Sequence, residues 1–149
     1  MINYAALTAT IYKRLKLDPE GAAVRAMLGS GADSIITARQ LSRSNLPARP
    51  LLALKRQPSG SATGGALTPI AYRWYIYDDP ADSDRRIEQL ISAIGSAYPT
   101  RGSSAPALSL PGHQIGTIEI LPGPQAIDAP LAPLLYSYAE IVAYVAGPR

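Results

Sequence analysis

Apolar positions along the chain change period several times, and each change marks an element. In residues 70–77, IAYRWYIY, they alternate. Ile70, Tyr72, Trp74 and Ile76 fall on one face, and Ala71, Arg73, Tyr75 and Tyr77 on the other, the period-two signature of a strand. Both faces are apolar or aromatic, so the strand is expected to be covered on both sides, by this chain or by a neighbour. Asp78-Asp79-Pro80 reads as its exit turn. The period then lengthens: Ile87, Leu90, Ile91 and Ile94 recur at helical spacing, which predicts a one-faced helix over 84–98 that packs on the sheet. Asp82, Ser83 and Asp84 supply its N-cap and a negative first turn.

The flanking segments read more briefly. Residues 3–16 predict a helix with Asn3 as N-cap and Lys13, Arg14 and Lys16 in the last turn, where cations favour the dipole. Asp18-Pro19 stops it. Residues 20–28 predict a second short helix ended by Gly29 and Gly31, and 34–37, SIIT, is a short β-prone patch. Residues 38–50 form a polar loop. Residues 51–56, LLALKR, predict a strand, joined to 70–77 by the Gly/Ser/Thr/Pro-rich segment 57–69, a long, flexible hairpin arm. After a Ser/Gly/Pro loop at 99–113, residues 114–121 predict another strand. The loop 121–133 follows, with four prolines in 122–133, stiff and extended rather than helical. Residues 134–146 fit a helix or a strand by period. Their β-branched and tyrosine content favours a strand with Ser137, Ala139, Ile141, Ala143 and Val145 on one face. The expected fold is α+β: one domain over 1–149, a mostly antiparallel sheet of about four strands with a long hairpin arm, packed by one amphipathic helix and by the N-terminal helices.

Composition narrows the function classes. There are no cysteines in the 149 residues, so disulfides, thiolate metal sites and a Cys nucleophile are excluded. No apolar run approaches the roughly 18 residues of a membrane span, and the N-terminus lacks the charge order of a signal peptide, so no membrane contact and synthesis in the cytosol are expected. The net charge is +3 but unevenly spread: residues 1–56 hold nine of the 14 Lys and Arg and three of the 11 acids. Such asymmetry fits head-to-tail contact between copies, a basic face toward a polyanion, or separate solvated surfaces. The aromatic load is nine tyrosines and one tryptophan, with no Phe; tyrosine suits interfaces as well as half-buried sheet faces.

Reactive groups are sparse. His113, the single histidine, lies in a Pro/Gly loop without a nearby carboxylate and reads as surface. Asp78, Asp79, Asp82 and Asp84 have the chemistry for a hard cation, but an EF-hand pattern is absent and a turn followed by a helix start accounts for them. Gly60, Gly64 and Gly65 lack the Lys and following helix of a phosphate loop, and Ser59 and Ser61 lack a nucleophile elbow. They read as a flexible hairpin tip. Arg39, Arg43, Arg49, Lys55 and Arg56 are candidates for phosphate contact, without the aromatic interleaving of a single-strand platform; a solvated or subunit-facing surface accounts for them as well. A sound core, long loops, many tyrosines and no reactive constellation point to a structural or interaction protein rather than an enzyme, with no cofactor and no metal.

The order VRAMLGSGADSIIT, LPARPLLALKR, a long arm, AYRWYIYDD, RRIEQLISAI and C-terminal strands resembles the tail terminator (tail completion, or head–tail joining) proteins of long-tailed bacteriophages. The resemblance spans nearly the whole chain in element order. It implies a homohexameric ring without catalytic residues at the head-proximal end of the tail in the virion, assembled in the host cytoplasm. Its partners would be further copies of itself, the tail tube protein and a head connector, with double-stranded DNA passing through the channel without sequence-specific binding. A connector, a tube subunit and a small basic nucleic-acid-binding module are the other readings. The expected interface residues are Arg49, Lys55, Arg56, Arg73, Tyr75 and Tyr77, and the expected assembly arm carries Gly60, Gly64 and Gly65.

Overall fold

The computed structural model describes residues 2–42, 46–58, 67–78, 83–116, 118–123, 126–127 and 135–146. Three helices, α1 (Tyr4–Lys16), α2 (Ala22–Met27) and α3 (Ser83–Ala97), cover one face of a mixed sheet. The strands are β1 (Ile35–Thr37), β2 (Leu51–Arg56), β3 (Thr68–Asp78), β4 (Gln114–Ile115), β5 (Glu119–Pro122), β6 (Ala126–Ile127) and β7 (Leu135–Ala146). The order is β1-β2-β3-β7, with β4, β5 and β6 all on the far side of β7. Only β1 and β2 are parallel; every other strand pair is antiparallel. The α+β class and the predominance of antiparallel pairing therefore hold. The strand count is larger than expected, because the SIIT patch forms an edge strand, the strand expected over 114–121 is split into β4 and β5, and the proline-rich loop carries β6 inside it. The ambiguous segment 134–146 is strand β7, and its face Ser137, Ala139, Ile141, Ala143 and Val145 is buried, as the alternation predicts.

The far edge is one strand interrupted twice. Between the pairs Ile115–Val145 and Glu119–Val142 the edge advances four residues while β7 advances three. The same step recurs between Pro122–Ala139 and Ala126–Tyr136. One extra residue on one side of an antiparallel pair is a β-bulge. At the second bulge, the Gly123 N–H donates to Tyr138 O (2.7 Å) and its carbonyl accepts from the buried Ser137 hydroxyl (3.1 Å). A Cβ on Gly123 would lie 2.6 Å from the Tyr138 ring, so a larger residue displaces either the bulge or the ring. Pro69, inside β3, lies beyond the last β2 pair, Arg56–Tyr72, so no described β2 residue pairs with it.

The core lies between the helices and the inner sheet face. Leu7, Ile11 and Leu15 of α1, Ile87, Leu90 and Ile94 of α3, and Tyr72, Trp74 and Ile76 of β3 are all fully buried. Tyr98, just past α3, fastens these three elements. Its hydroxyl accepts from Trp74 Nε1 (3.0 Å) and donates to the Ile11 carbonyl (2.7 Å). Tyr12 stacks on Trp74 with ring centroids 6.1 Å apart. The Thr8 hydroxyl donates to Tyr4 O and therefore accepts from the Tyr72 hydroxyl at 2.8 Å. Burial raises the Tyr98 phenol pKa well beyond its ordinary range, and raises that of Tyr72 with partial relief from Thr8. Arg14 is buried as well. Its guanidinium donates to the carbonyls of Ala97 (3.0 Å), Pro106 (2.8 Å) and Ala107 (3.3 Å) and to Asp18 (3.2 Å), tying α1 to the end of α3 and to the loop 99–113.

Trp74→Ala should cost about 3–5 kcal/mol in urea unfolding, and Tyr98→Phe about 1–3 kcal/mol, because two buried polar groups lose their partner. The pH dependence has a definite sign. A raised tyrosine pKa leaves stability intact below the unfolded value of 10.0, and stability falls above it as the unfolded chain ionises first. Tyr98→Phe should remove about 1.4 kcal/mol of the stability lost between roughly pH 9 and 11, read from urea titrations at the two ends of that range. Gly123→Ala should lower the thermal midpoint and shift the Tyr138 ring resonances in NMR; unchanged resonances would contradict the packing at the bulge.

Candidate functional site: the outer sheet face and its edges

The face of the sheet away from the helices is only partly covered. At the β2 end a small cluster of Ile36, Leu51, Ala53 and Tyr77 is buried, with Leu46 and Tyr75 partly buried against it. Tyr77 therefore belongs to the chain's own packing, whereas Arg73 and Tyr75 are half-buried and Arg49, Lys55 and Arg56 are exposed. The rest of the face is tyrosine and charge. Tyr75 and Tyr138 meet with centroids 6.0 Å apart at 58°. The Arg73 guanidinium lies 4.2 Å from the Tyr138 ring centroid and donates to Glu140 at 3.2 Å, a cation–π contact and an ion pair on one side chain. Tyr144 donates to Glu119 at 3.3 Å, and the Glu119 charge beside it raises its phenol pKa.

The strand registers turn this face into ordered rows. Lys55 pairs with Arg73, Arg73 with Glu140, and Glu140 with Leu121. Positive charge thus sits on the β2 side and negative charge on the β7–β5 side. Tyr138, Glu140, Tyr144 and Glu119 carry no local sequence signal that marks them as site residues. The alternation in 134–146 already placed Tyr138 and Tyr144 together on one face, but nothing local reveals that β7 lies beside β3.

Two concave regions flank the sheet. One, of about 630 Å³, lies between α1 and the ends of β1 and β2, with Ala5, Ala9 and Tyr12 on one wall and Arg39, Lys55 and Arg56 at its rim. It continues past Tyr4, whose ring holds the Arg56 guanidinium at 4.4 Å. The other, of about 920 Å³, runs along the β5 edge past Leu67, Arg101, Glu119, Leu121 and Tyr144.

The groups raised as reactive chemistry are engaged in architecture where they are described. His113 Nε2 accepts the Asn3 N–H at 3.2 Å, so its Nδ1–H donates to Pro111 O at 3.0 Å, and the ring anchors the start of α1. It is half-buried rather than a free surface side chain. The Asp78 carboxylate is buried at the end of β3 and held in a two-pronged grip by Arg86 of α3, with Nε to Oδ2 at 2.6 Å. Among the described residues no cluster of three or more His, Asp or Glu side chains is placed to hold a metal ion, and no helix is long and apolar enough to cross a membrane. Arg43, Ser59, Gly60, Ser61, Gly64, Gly65, Asp79 and Asp82 lie outside the described residues.

The Arg73–Glu140 pair keeps 31% and 25% of its side-chain surface exposed, so water screens it. Glu140→Gln should change the unfolding free energy by less than about 1 kcal/mol; a larger loss in urea titration would mean that this face is closed off in the free protein.

No protein-family model matches the chain, and no curated protein does. The fold is similar to that of a chain in a solved structure described as the virion of a native gene transfer agent particle. The TM-score is 0.63 at 18% identity, and the match covers 97% of this chain and 97% of that one.

Proposed function

We propose that this chain is a structural virion protein, and that it forms a homohexameric ring which caps a tail tube and joins it to a head connector. The observation that carries this reading is the likeness to a chain of a gene transfer agent virion, which runs over nearly the full length of both chains. The match spans 97% of each chain, as it would for the same part in two particles rather than for a shared module. The outer sheet face adds support. Half-exposed tyrosines, a stacked arginine and paired charges on a rigid sheet have the composition of a protein–protein contact. The helices bury most of the other face but leave the groove between α1 and β2 open, so contacts fall on the outer face, that groove, the sheet edges and the arm between β2 and β3. On this reading the protein is not an enzyme; its partners are its own copies, the tube protein and the connector, and DNA passes without sequence readout.

Sedimentation velocity over a concentration series, followed by negative-stain electron microscopy, tests the proposal. Closed rings that stop the growth of purified tail tubes are expected. A protein that stays monomeric at every concentration and leaves tube growth unchanged would overturn it, and long tubes formed by the protein alone would assign it to the tube instead.

A further inference from the structure

The sheet has two unlike edges, and neither presents a regular, uninterrupted ladder to a further strand. At β1 the outward Ile35 carbonyl accepts from the Tyr12 hydroxyl (2.8 Å) and from Lys16 Nζ (2.9 Å), while the Thr37 N–H donates to Gln40 Oε1 (2.8 Å). At the opposite edge two bulges and Pro122 break the ladder. Irregular edges of this kind disfavour extension of the sheet through backbone hydrogen bonds and leave side chains to make a contact between copies.

Those side chains are complementary. The groove between α1 and β2 has an apolar wall and the cations Lys55 and Arg56 at its rim. Lys55 stands directly across from Arg73, a like-charge pairing that is unfavourable on a sheet. Glu140 neutralises Arg73, but Lys55 makes no ion pair among the described residues. The β5 edge presents the opposite character. Glu119 is exposed there, and Leu121 is 48% exposed in the same depression as Leu67 at 45%. Two of the three large apolar side chains exposed among the described residues thus lie beside a carboxylate, at the far side of the sheet from the groove.

We propose that a second copy of this chain seats its Glu119–Leu121 edge in the α1–β2 groove of the first, with Glu119 meeting Lys55 and Arg56 and Leu121 meeting the apolar wall. The inference rests on the ring-forming reading above and names its contact. The two patches differ and lie at opposite edges of a sheet on the order of 20 Å wide. The contact is therefore heterologous, the type that propagates from copy to copy and closes into a ring when the rotation allows.

A charge exchange tests it, with assembly read by sedimentation velocity and folding checked by thermal melts. Lys55→Glu alone and Glu119→Lys alone should each weaken assembly by at least about tenfold, because each sets like charges against one another. An equal mixture of the two variants should restore assembly, as should both substitutions in one chain. Leu121→Ser should weaken assembly without charge reversal. If the wild-type chain assembles and the folded single variants assemble as well as it does, this contact is wrong while the ring reading stands. Failure of the mixture and of the double variant to recover would also overturn it. A wild-type chain that remains monomeric removes the ring reading itself.

Discussion

A single buried hydroxyl fixes how the helical layer meets the sheet. Tyr98 sits at the exit of α3, accepts a hydrogen bond from Trp74 in the middle of β3, and donates one to Ile11 in α1. Three elements that are distant in sequence are thereby set at one point in a site where water cannot replace a lost partner. Arg14 does the same a turn further along α1, where its guanidinium gathers the last carbonyl of α3 and two carbonyls of the following loop. The apolar contacts around these groups supply most of the driving force for folding. The polar contacts decide which of several similar packings is adopted, because each alternative strands a donor or an acceptor.

The elements that were legible in the sequence are those whose period is long and unbroken. The alternation at 70–77 and the helical spacing at 87–94 survive intact, and Asn3 caps α1 as its residue type and position imply, accepting the Ala6 N–H at 3.1 Å. What was not legible is pairing. Ile35 and Ile36 join a parallel strand only because β2 lies alongside them, and three residues carry too little pattern to show it. Residues 126–127 read as proline-bounded loop, yet they pair with β7 because a bulge at Gly123 carries the chain back into register. The same limit governs the candidate site. Lys55, Arg56, Arg73 and Tyr75 were visible as charged or aromatic positions. The meeting of Arg73 and Tyr75 with Tyr138 and Glu140 depends on a strand more than sixty residues away, as the separation of Arg73 and Glu140 shows.

The two faces of the sheet solve different problems. The inner face is a continuous apolar layer beneath α1 and α3, and its polar atoms are paired within the chain. The outer face keeps its charges and phenols half in water, where ion pairs contribute little to stability but define direction. Positive charge lies toward β2 and negative charge toward β5, so the face has a sense as well as a composition. A contact that joins one end to the other is directional, and lets every copy offer the same two ends to its neighbours.

The placement of β7 has a consequence for how the protein comes into being. It is the last described strand in chain order, yet it lies inside the sheet, with β3 on one side and the bulged edge on the other. During synthesis β2 and β3 can meet early as neighbours in the chain, while β3 keeps an open edge and β4, β5 and β6 lack the strand they pair with. Pairing across so long a separation is slow. Until residues 135–146 arrive, the nascent chain exposes the strand edge that the finished fold conceals, and its risk of wrong association is concentrated in that interval.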